Sequence, residues 1–144
     1  RAPIWPDGIT GSISHGGGTC LALVARQGAI NGLGLDLEPA EALPLDMVET
    51  VCTGPERETI KEHALMGRMI FCAKEAAYKA QFAASRTLFG FDALRFAQTS
   101  ATIAQLEFVR DVAPFSSGDT LTVRQWVHSG LIVSLCVLPL LSSG

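Results

Sequence analysis

One stretch decides most of what this chain can become. From about Ala64 to Ala84 it has no proline, a single glycine (Gly67) and a dense supply of Ala, Met and Phe. Such residues lose little on entering a helix, so the segment predicts one long helix, ending before Gly90. No other stretch reads as helix at that length. Arg1 to Gly11 is rich in Pro and Gly and reads as irregular. Ser12–His15 predicts a short strand that stops at Gly16-Gly17-Gly18, and Cys20–Ala25, an unbroken apolar run, predicts a buried strand. Gln27-Gly28 and Asn31-Gly32 are turn signals, and either could close a hairpin into a strand over Leu33–Glu38. Pro39 to Pro44 reads as a loop and Leu45–Val51 as a short helix. Thr53-Gly54-Pro55-Glu56 looks like a second helix start, with Thr53 or Gly54 as cap and Pro55 in the first turn. Leu94–Gln98, Thr102–Val109, Thr120–Val127 and Leu131–Leu138 follow as strands, the last two joined through His128-Ser129-Gly130. The pattern predicts an α+β fold with one long helix packed on a mostly antiparallel sheet.

With 144 residues, 48% of them hydrophobic and 17% charged, the chain suits a single domain over residues 1–144 with its own core. A net charge of −3 speaks against bulk binding to nucleic acid. It leaves room for a local Lys, Arg or His site for a phosphorylated ligand. The four cysteines, Cys20, Cys52, Cys72 and Cys136, form no C-x-x-C pair, and three lie in apolar runs. That suits buried free thiols in a reducing compartment rather than zinc ligands. There is no signal-peptide pattern, and the apolar run Leu131–Leu141 is short for a membrane span and contains Pro139. A cytoplasmic protein with no transmembrane segment is expected. The chain opens on Arg1 rather than Met, which predicts a piece of something longer.

Candidate chemistry gathers in three places. In Gly34-Leu35-Asp36-Leu37-Glu38, period-two alternation puts Leu35 and Leu37 on one face and Asp36 and Glu38 on the other. Two carboxylates at ~4 Å repel by about 4 kcal/mol at an effective dielectric near 20. Either a cation sits between them or the strand leaves both in water, and for a lone D-x-E the solvated face is the commoner outcome. On the long helix, Glu75 and Lys79 are four residues apart and share a face. Taken alone they read as a surface ion pair worth about 0.3–0.5 kcal/mol. Taken with the strand, Glu75 is a third carboxylate for a hard cation such as Mg²⁺ and Lys79 a phosphate binder. Finally, Ser14-His15 beside three glycines offers a hydroxyl, an imidazole and close backbone approach to an anion, or merely a flexible hairpin loop.

Taken in order, Ser12-Ile13-Ser14-His15, Gly34-Leu35-Asp36-Leu37-Glu38 and Phe71-x-x-Lys74-Glu75-Ala76-x-Tyr78-Lys79 resemble the motifs of the 4′-phosphopantetheinyl transferases. The likeness is to the two-lobed type that serves siderophore and nonribosomal peptide synthesis, and it extends over Arg1 to at least Ala80. Phe71 stands where many members have Trp. The resemblance implies a Mg²⁺-dependent enzyme that moves the phosphopantetheine arm of coenzyme A onto a serine of an acyl, aryl or peptidyl carrier protein, releasing 3′,5′-ADP. It implies Asp36, Glu38 and Glu75 as metal ligands, with Glu75 also the candidate base. By the same resemblance Lys79 meets the coenzyme's phosphates, Ser14 and His15 lie near its 3′-phosphate, and Arg1 through Pro3 lie beside the adenine. Residues 1–144 then correspond to the C-terminal lobe, and a missing first lobe or another subunit is expected to complete the site. Two other readings stand beside this one: a half-domain that binds Mg²⁺ and coenzyme A without turnover, and a purely structural domain.

Overall fold

The computed structural model describes residues 3–140. Two strands lead, β1 (Ile9–Gly16) and β2 (Thr19–Arg26), followed by β3 (Gly32–Pro39). Three helices come next, α1 (Leu45–Val51), α2 (Gly54–Ile60) and α3 (Met66–Ser85). A 3-10 turn at Phe91–Ala93 leads into β4 (Leu94–Gln98), β5 (Ile103–Phe108), β6 (Thr120–His128) and β7 (Leu131–Leu138). Strands β3, β7, β6, β5 and β4, in that spatial order, make one antiparallel sheet. Helix α3 lies across it, burying Ile70, Ala73, Ala77 and Ala80 against Leu94, Leu106, Phe108, Val123 and Cys136. The expected α+β architecture is the one observed. No glycine caps α3; Arg86 takes the left-handed conformation (φ 53°) and its N–H closes on Phe82 O.

Strand β3 sets the distance between helix and sheet. A Cβ on Gly34 would stand 1.9 Å from Ala76 O, and one on Gly32 would stand 2.1 Å from Ala80 O. The glycines and the alanine stripe of α3 therefore bring two backbones together with no side chain between them. Because side chains alternate along a strand, Asp36 and Glu38 share this helix-facing side. Leu35 and Leu37 are also buried, each 1% exposed, but on the opposite face, where Gly16 comes against Leu37 and Gly17 against Leu131. The acidic pair is thus not a solvated face: Asp36 is buried and Glu38 half-buried under the helix.

The hairpin departs from expectation. Strand β2 pairs with β1 through the Gly17-Gly18 turn, not with β3, and the two form a separate sheet. The run Cys20–Ala25 is mostly exposed, Cys20 included, because a two-stranded ribbon covers little of itself. Cys52, Cys72 and Cys136 are the buried thiols. Strand β1 instead seals the free edge of β3 with side chains: Ser12 Oγ accepts from Leu35 N–H at 3.0 Å and Ser14 Oγ from Leu37 N–H at 2.9 Å.

On its other flank α3 is fixed by a buried ion pair. Lys74 Nζ donates to Glu56 Oε1 (2.9 Å), Val51 O (2.8 Å) and Phe91 O (3.0 Å). Glu56 in turn accepts from Thr53 N–H at 2.8 Å and Phe96 N–H at 2.7 Å. All three ammonium protons are used, which offsets the desolvation that an unpaired buried charge would cost.

Gly34→Ala is expected to lower stability by at least about 1–3 kcal/mol, since neither backbone at the contact can yield cheaply. Gly54→Ala, where an added Cβ meets nothing within 4 Å, is expected to be near neutral. Urea unfolding of both variants checks the contrast.

Candidate functional site

The register of β3 against α3 brings strand carboxylates under helical cations. Lys79 Nζ, whose side chain is 31% exposed, donates to Leu35 O at 2.8 Å and to Asp36 Oδ1 at 3.1 Å. Ser14 Oγ also approaches Asp36 Oδ1, at 3.4 Å. Cys72 lies beneath, its Sγ donating to Asp36 O at 3.4 Å, and burial pushes its thiol far above the ordinary range. Glu38 Oε1 accepts from Arg68 Nη1 at 3.1 Å. Glu75 is half-buried on the same side of the helix. The surface pair expected between Glu75 and Lys79 is not among the ion pairs of the described residues, because Lys79 is drawn to the strand instead.

All three carboxyls are pushed above their ordinary range. For Asp36 the chief cause is burial, offset by Lys79 and reinforced by Glu75. For Glu38 burial again leads, then the neighbouring Asp36, with Arg68 opposing. Glu75 is raised by burial and by Glu38, against Lys79. Each of the three acids is thus raised in part by one of the others.

Asp36 Oδ2 is buried and meets no hydrogen-bond donor among the described residues. A buried carboxylate oxygen with two more carboxyls near it suits a hard divalent cation, although the Cys72 thiol and the Lys79 ammonium lie against the same Asp36. The acids are not drawn together as a finished cage. Among the described residues no group of three His, Cys, Asp or Glu side chains is gathered closely enough to hold an ion as it stands. The physical reason is that Lys79 and Arg68 already engage two of them.

The other predicted residues fall around this centre unevenly. Ser14 is buried and occupied by β3, while His15, next along β1, is exposed on the opposite face. Pro3 is exposed in the segment before β1. Arg1 lies outside the described residues. Lys74, the neighbour of Glu75 in the helix motif, is 2% exposed and bound to Glu56, so it brings no free charge to the carboxylates. Its place is taken by Arg68, which pattern reading overlooked although it sits four residues before Cys72 and seven before Glu75, on the same helical stripe. A cavity of about 150 Å³ opens beside Glu75, lined by Lys74 as well as Tyr78, Phe89, Phe91 and Leu94. Its aromatic wall comes partly from the segment after α3, which carries no motif.

The raised carboxyls fix a pH dependence. An acid whose folded pKa lies above its unfolded value favours the folded state fully below the unfolded value, and that stabilisation is lost as pH rises through the folded one. Without divalent cations, stability is expected to fall as pH climbs from the ordinary values of 3.8 and 4.5 through the raised range of Asp36, Glu38 and Glu75. Asp36→Asn is expected to flatten that slope. Urea midpoints measured across pH check both.

Residues 32–134 match the 4′-phosphopantetheinyl transferase superfamily, and residues 1–25 match the 4′-phosphopantetheinyl transferase N-terminal domain. The chain is 42% identical over 94 residues to the 4′-phosphopantetheinyl transferase Npt of Nocardia iowensis, covering 63% of this chain and 42% of that protein. It is 35% identical over 147 residues to the 4′-phosphopantetheinyl transferase PptT of Mycobacterium tuberculosis, covering 94% of this chain and 65% of that protein. Enterobactin synthase component D of Salmonella typhi is 29% identical over 141 residues, with 58% of its length covered. The chain therefore spans less than two thirds of these relatives. Among solved structures, the holo-[acyl-carrier-protein] synthase of Thermotoga maritima shares the fold, with a TM-score of 0.59 at 23% identity over 76% of this chain and 64% of that one. With its acidic strand, its motif helix and the match over 32–134 in agreement, the chain belongs to the 4′-phosphopantetheinyl transferase superfamily.

Proposed function

We propose that this chain carries the cation-binding part of an enzyme that transfers the phosphopantetheine arm of coenzyme A to a serine of a carrier protein. The observation that supports this reading is the buried, unsatisfied Asp36 Oδ2 at the α3–β3 seam, with Glu38 and Glu75 near enough that each of the three acids is raised in part by another, though not gathered into a finished cage. Asp36, Glu38 and Glu75 would hold Mg²⁺, which when bound supplies charge neutralisation for the pyrophosphate and the transferred phosphoryl group. Lys79, anchored on Leu35 O and partly exposed, presents its remaining donor capacity to a phosphate. Glu75 has the character of a base for the attacking hydroxyl: it is half-buried, raised above the ordinary carboxylate range and at the edge of the aromatic cavity. That cavity offers an aromatic wall beside Glu75 against which part of the uncharged arm could lie. His15, exposed at the end of β1, is free to reach the 3′-phosphate, whereas Ser14 serves by holding β3 and Asp36 in place.

Residues 1–144 act in this reading as the C-terminal lobe, with β1 and β2 a remnant shared with the N-terminal domain that residues 1–25 match. A first lobe or a second subunit would supply further cations. Coenzyme A brings about four negative charges in its pyrophosphate and 3′-phosphate, more than Lys79, Arg68 and one Mg²⁺ can offset once three carboxylates are counted. Carrier domains of siderophore or peptide synthetases are the substrate class, and the cytoplasm, where coenzyme A is made, is the site of action.

Three outcomes are expected. Asp36→Ala and Asp36→Asn should each cut Mg²⁺-dependent modification of an apo carrier protein by at least about a hundredfold, read as the mass increase of the carrier. The same assay run on residues 1–144 and on a longer form should favour the longer form. Full transfer by Asp36→Asn would sink the cation reading. His15→Ala should weaken coenzyme A roughly tenfold or more, as expected for a lost hydrogen bond to a charged group, and 3′-dephospho-coenzyme A far less. Calorimetry with both ligands distinguishes this from a structural His15, which would lose both equally.

A further inference from the structure

Arg68 is held more firmly than a surface arginine. Nε donates to Glu41 O at 3.2 Å, Nη2 to Ala42 O at 3.3 Å and Nη1 to Glu38 Oε1 at 3.1 Å. Its side chain is 12% exposed and that of Glu38 17%. Three donors are thus committed in three directions, two of them to backbone carbonyls of the loop that follows β3. A guanidinium anchored this way cannot swing to follow a ligand; it is a fixed positive charge at the rim of the carboxylate site.

We propose that Arg68 is the built-in counter-charge of this site, a specificity-determining residue that lets a triply acidic centre accept a phosphorylated ligand together with a divalent cation. The inference rests on the cation reading above. Three carboxylates would over-neutralise one divalent cation and leave the centre negative, which repels phosphate. Lys79 at Asp36 and Arg68 at Glu38 reverse that sign once the cation is bound. Arg68 also opposes the cation itself, because it competes for Glu38. Its two effects are therefore opposite in sign: it weakens binding of the bare cation and strengthens binding of the anionic ligand. A residue that only tied the loop to α3 would move both constants in the same direction.

The test uses the whole chain with Arg68→Gln, which keeps donors for the loop carbonyls and drops the charge, and Arg68→Lys, which keeps the charge and loses the fork. Mn²⁺ is the probe, its free fraction read by electron paramagnetic resonance, and coenzyme A binding at saturating Mn²⁺ is read by calorimetry. Arg68→Gln is expected to bind Mn²⁺ at least as tightly as the parent and coenzyme A roughly tenfold more weakly, the size expected for one charge a few Å away. Arg68→Lys should recover most of the coenzyme A affinity. Any pattern without that split, both constants falling together or neither changing, overturns the proposal, as does failure of Arg68→Lys to recover affinity. A parent chain that binds no Mn²⁺ removes the cation reading and the counter-charge with it. A parent that binds Mn²⁺ beside an unchanged Arg68→Gln removes the counter-charge alone.

Discussion

The approach of α3 to β3 without intervening side chains is the constraint on which the site depends. Gly34 stands against Ala76 and Ala80, and Gly32 against Ala80. Side chains of ordinary size at this interface would push the helix outward by several Å, since helices and sheets otherwise pack about 10 Å apart. Lys79 could not then reach Leu35 O and Asp36 Oδ1, nor Cys72 the carbonyl of Asp36. The glycine two positions before the first acid is therefore part of the acidic motif for a steric reason. It fixes the height of the helix above the carboxylates.

Height alone does not stop a helix from sliding along a smooth glycine–alanine track. The Lys74–Glu56 pair supplies that stop from the other flank. Its five hydrogen bonds reach the end of α1, the cap of α2, the turn before β4 and β4 itself. Lys74 and Glu75 are neighbours in sequence, but successive residues on a helix point about 100° apart. One enters the core and locks the register; the other faces the seam. Removing either partner of such a buried pair leaves an uncompensated charge, typically costing about 3–5 kcal/mol, so this pair is better understood as fixing one arrangement than as adding net stability.

Much of the fold was legible because its signals are local. The breaker-free run predicts α3, period-two alternation and turn residues predict β3 through β7, and Thr53-Gly54-Pro55-Glu56 predicts the start of α2, all close to their observed bounds. What failed was partnership. The apolar run at Cys20–Ala25 is a true strand, but apolarity does not say whether its cover lies within this chain, and here it is mostly exposed. Alternation separates Asp36 and Glu38 from Leu35 and Leu37 correctly, yet does not say which face the helix takes; the glycines at 32 and 34 carry that information. Likewise Lys74 and Lys79 look equivalent in the motif, and only tertiary packing sends one to Glu56 and the other to Asp36.

The seam has a simple electrostatic order once these partnerships are known. The strand supplies acids and the helix supplies bases, matched as Asp36 with Lys79 and Glu38 with Arg68. Each helical cation also leans on backbone carbonyls of β3 or the loop after it, so both charges are fixed in place by the strand they neutralise. Glu75 breaks the order. It is an acid on the helical side, raised by burial and by Glu38 against the opposing Lys79, and it takes part in no ion pair among the described residues. A carboxylate already bound to a fixed cation is a poor proton acceptor, because the cation stabilises its charged form. Burial nonetheless holds Asp36 and Glu38 above their ordinary range, as it does Glu75; what sets Glu75 apart is that it has no ion-pair partner among the described residues and borders the aromatic cavity.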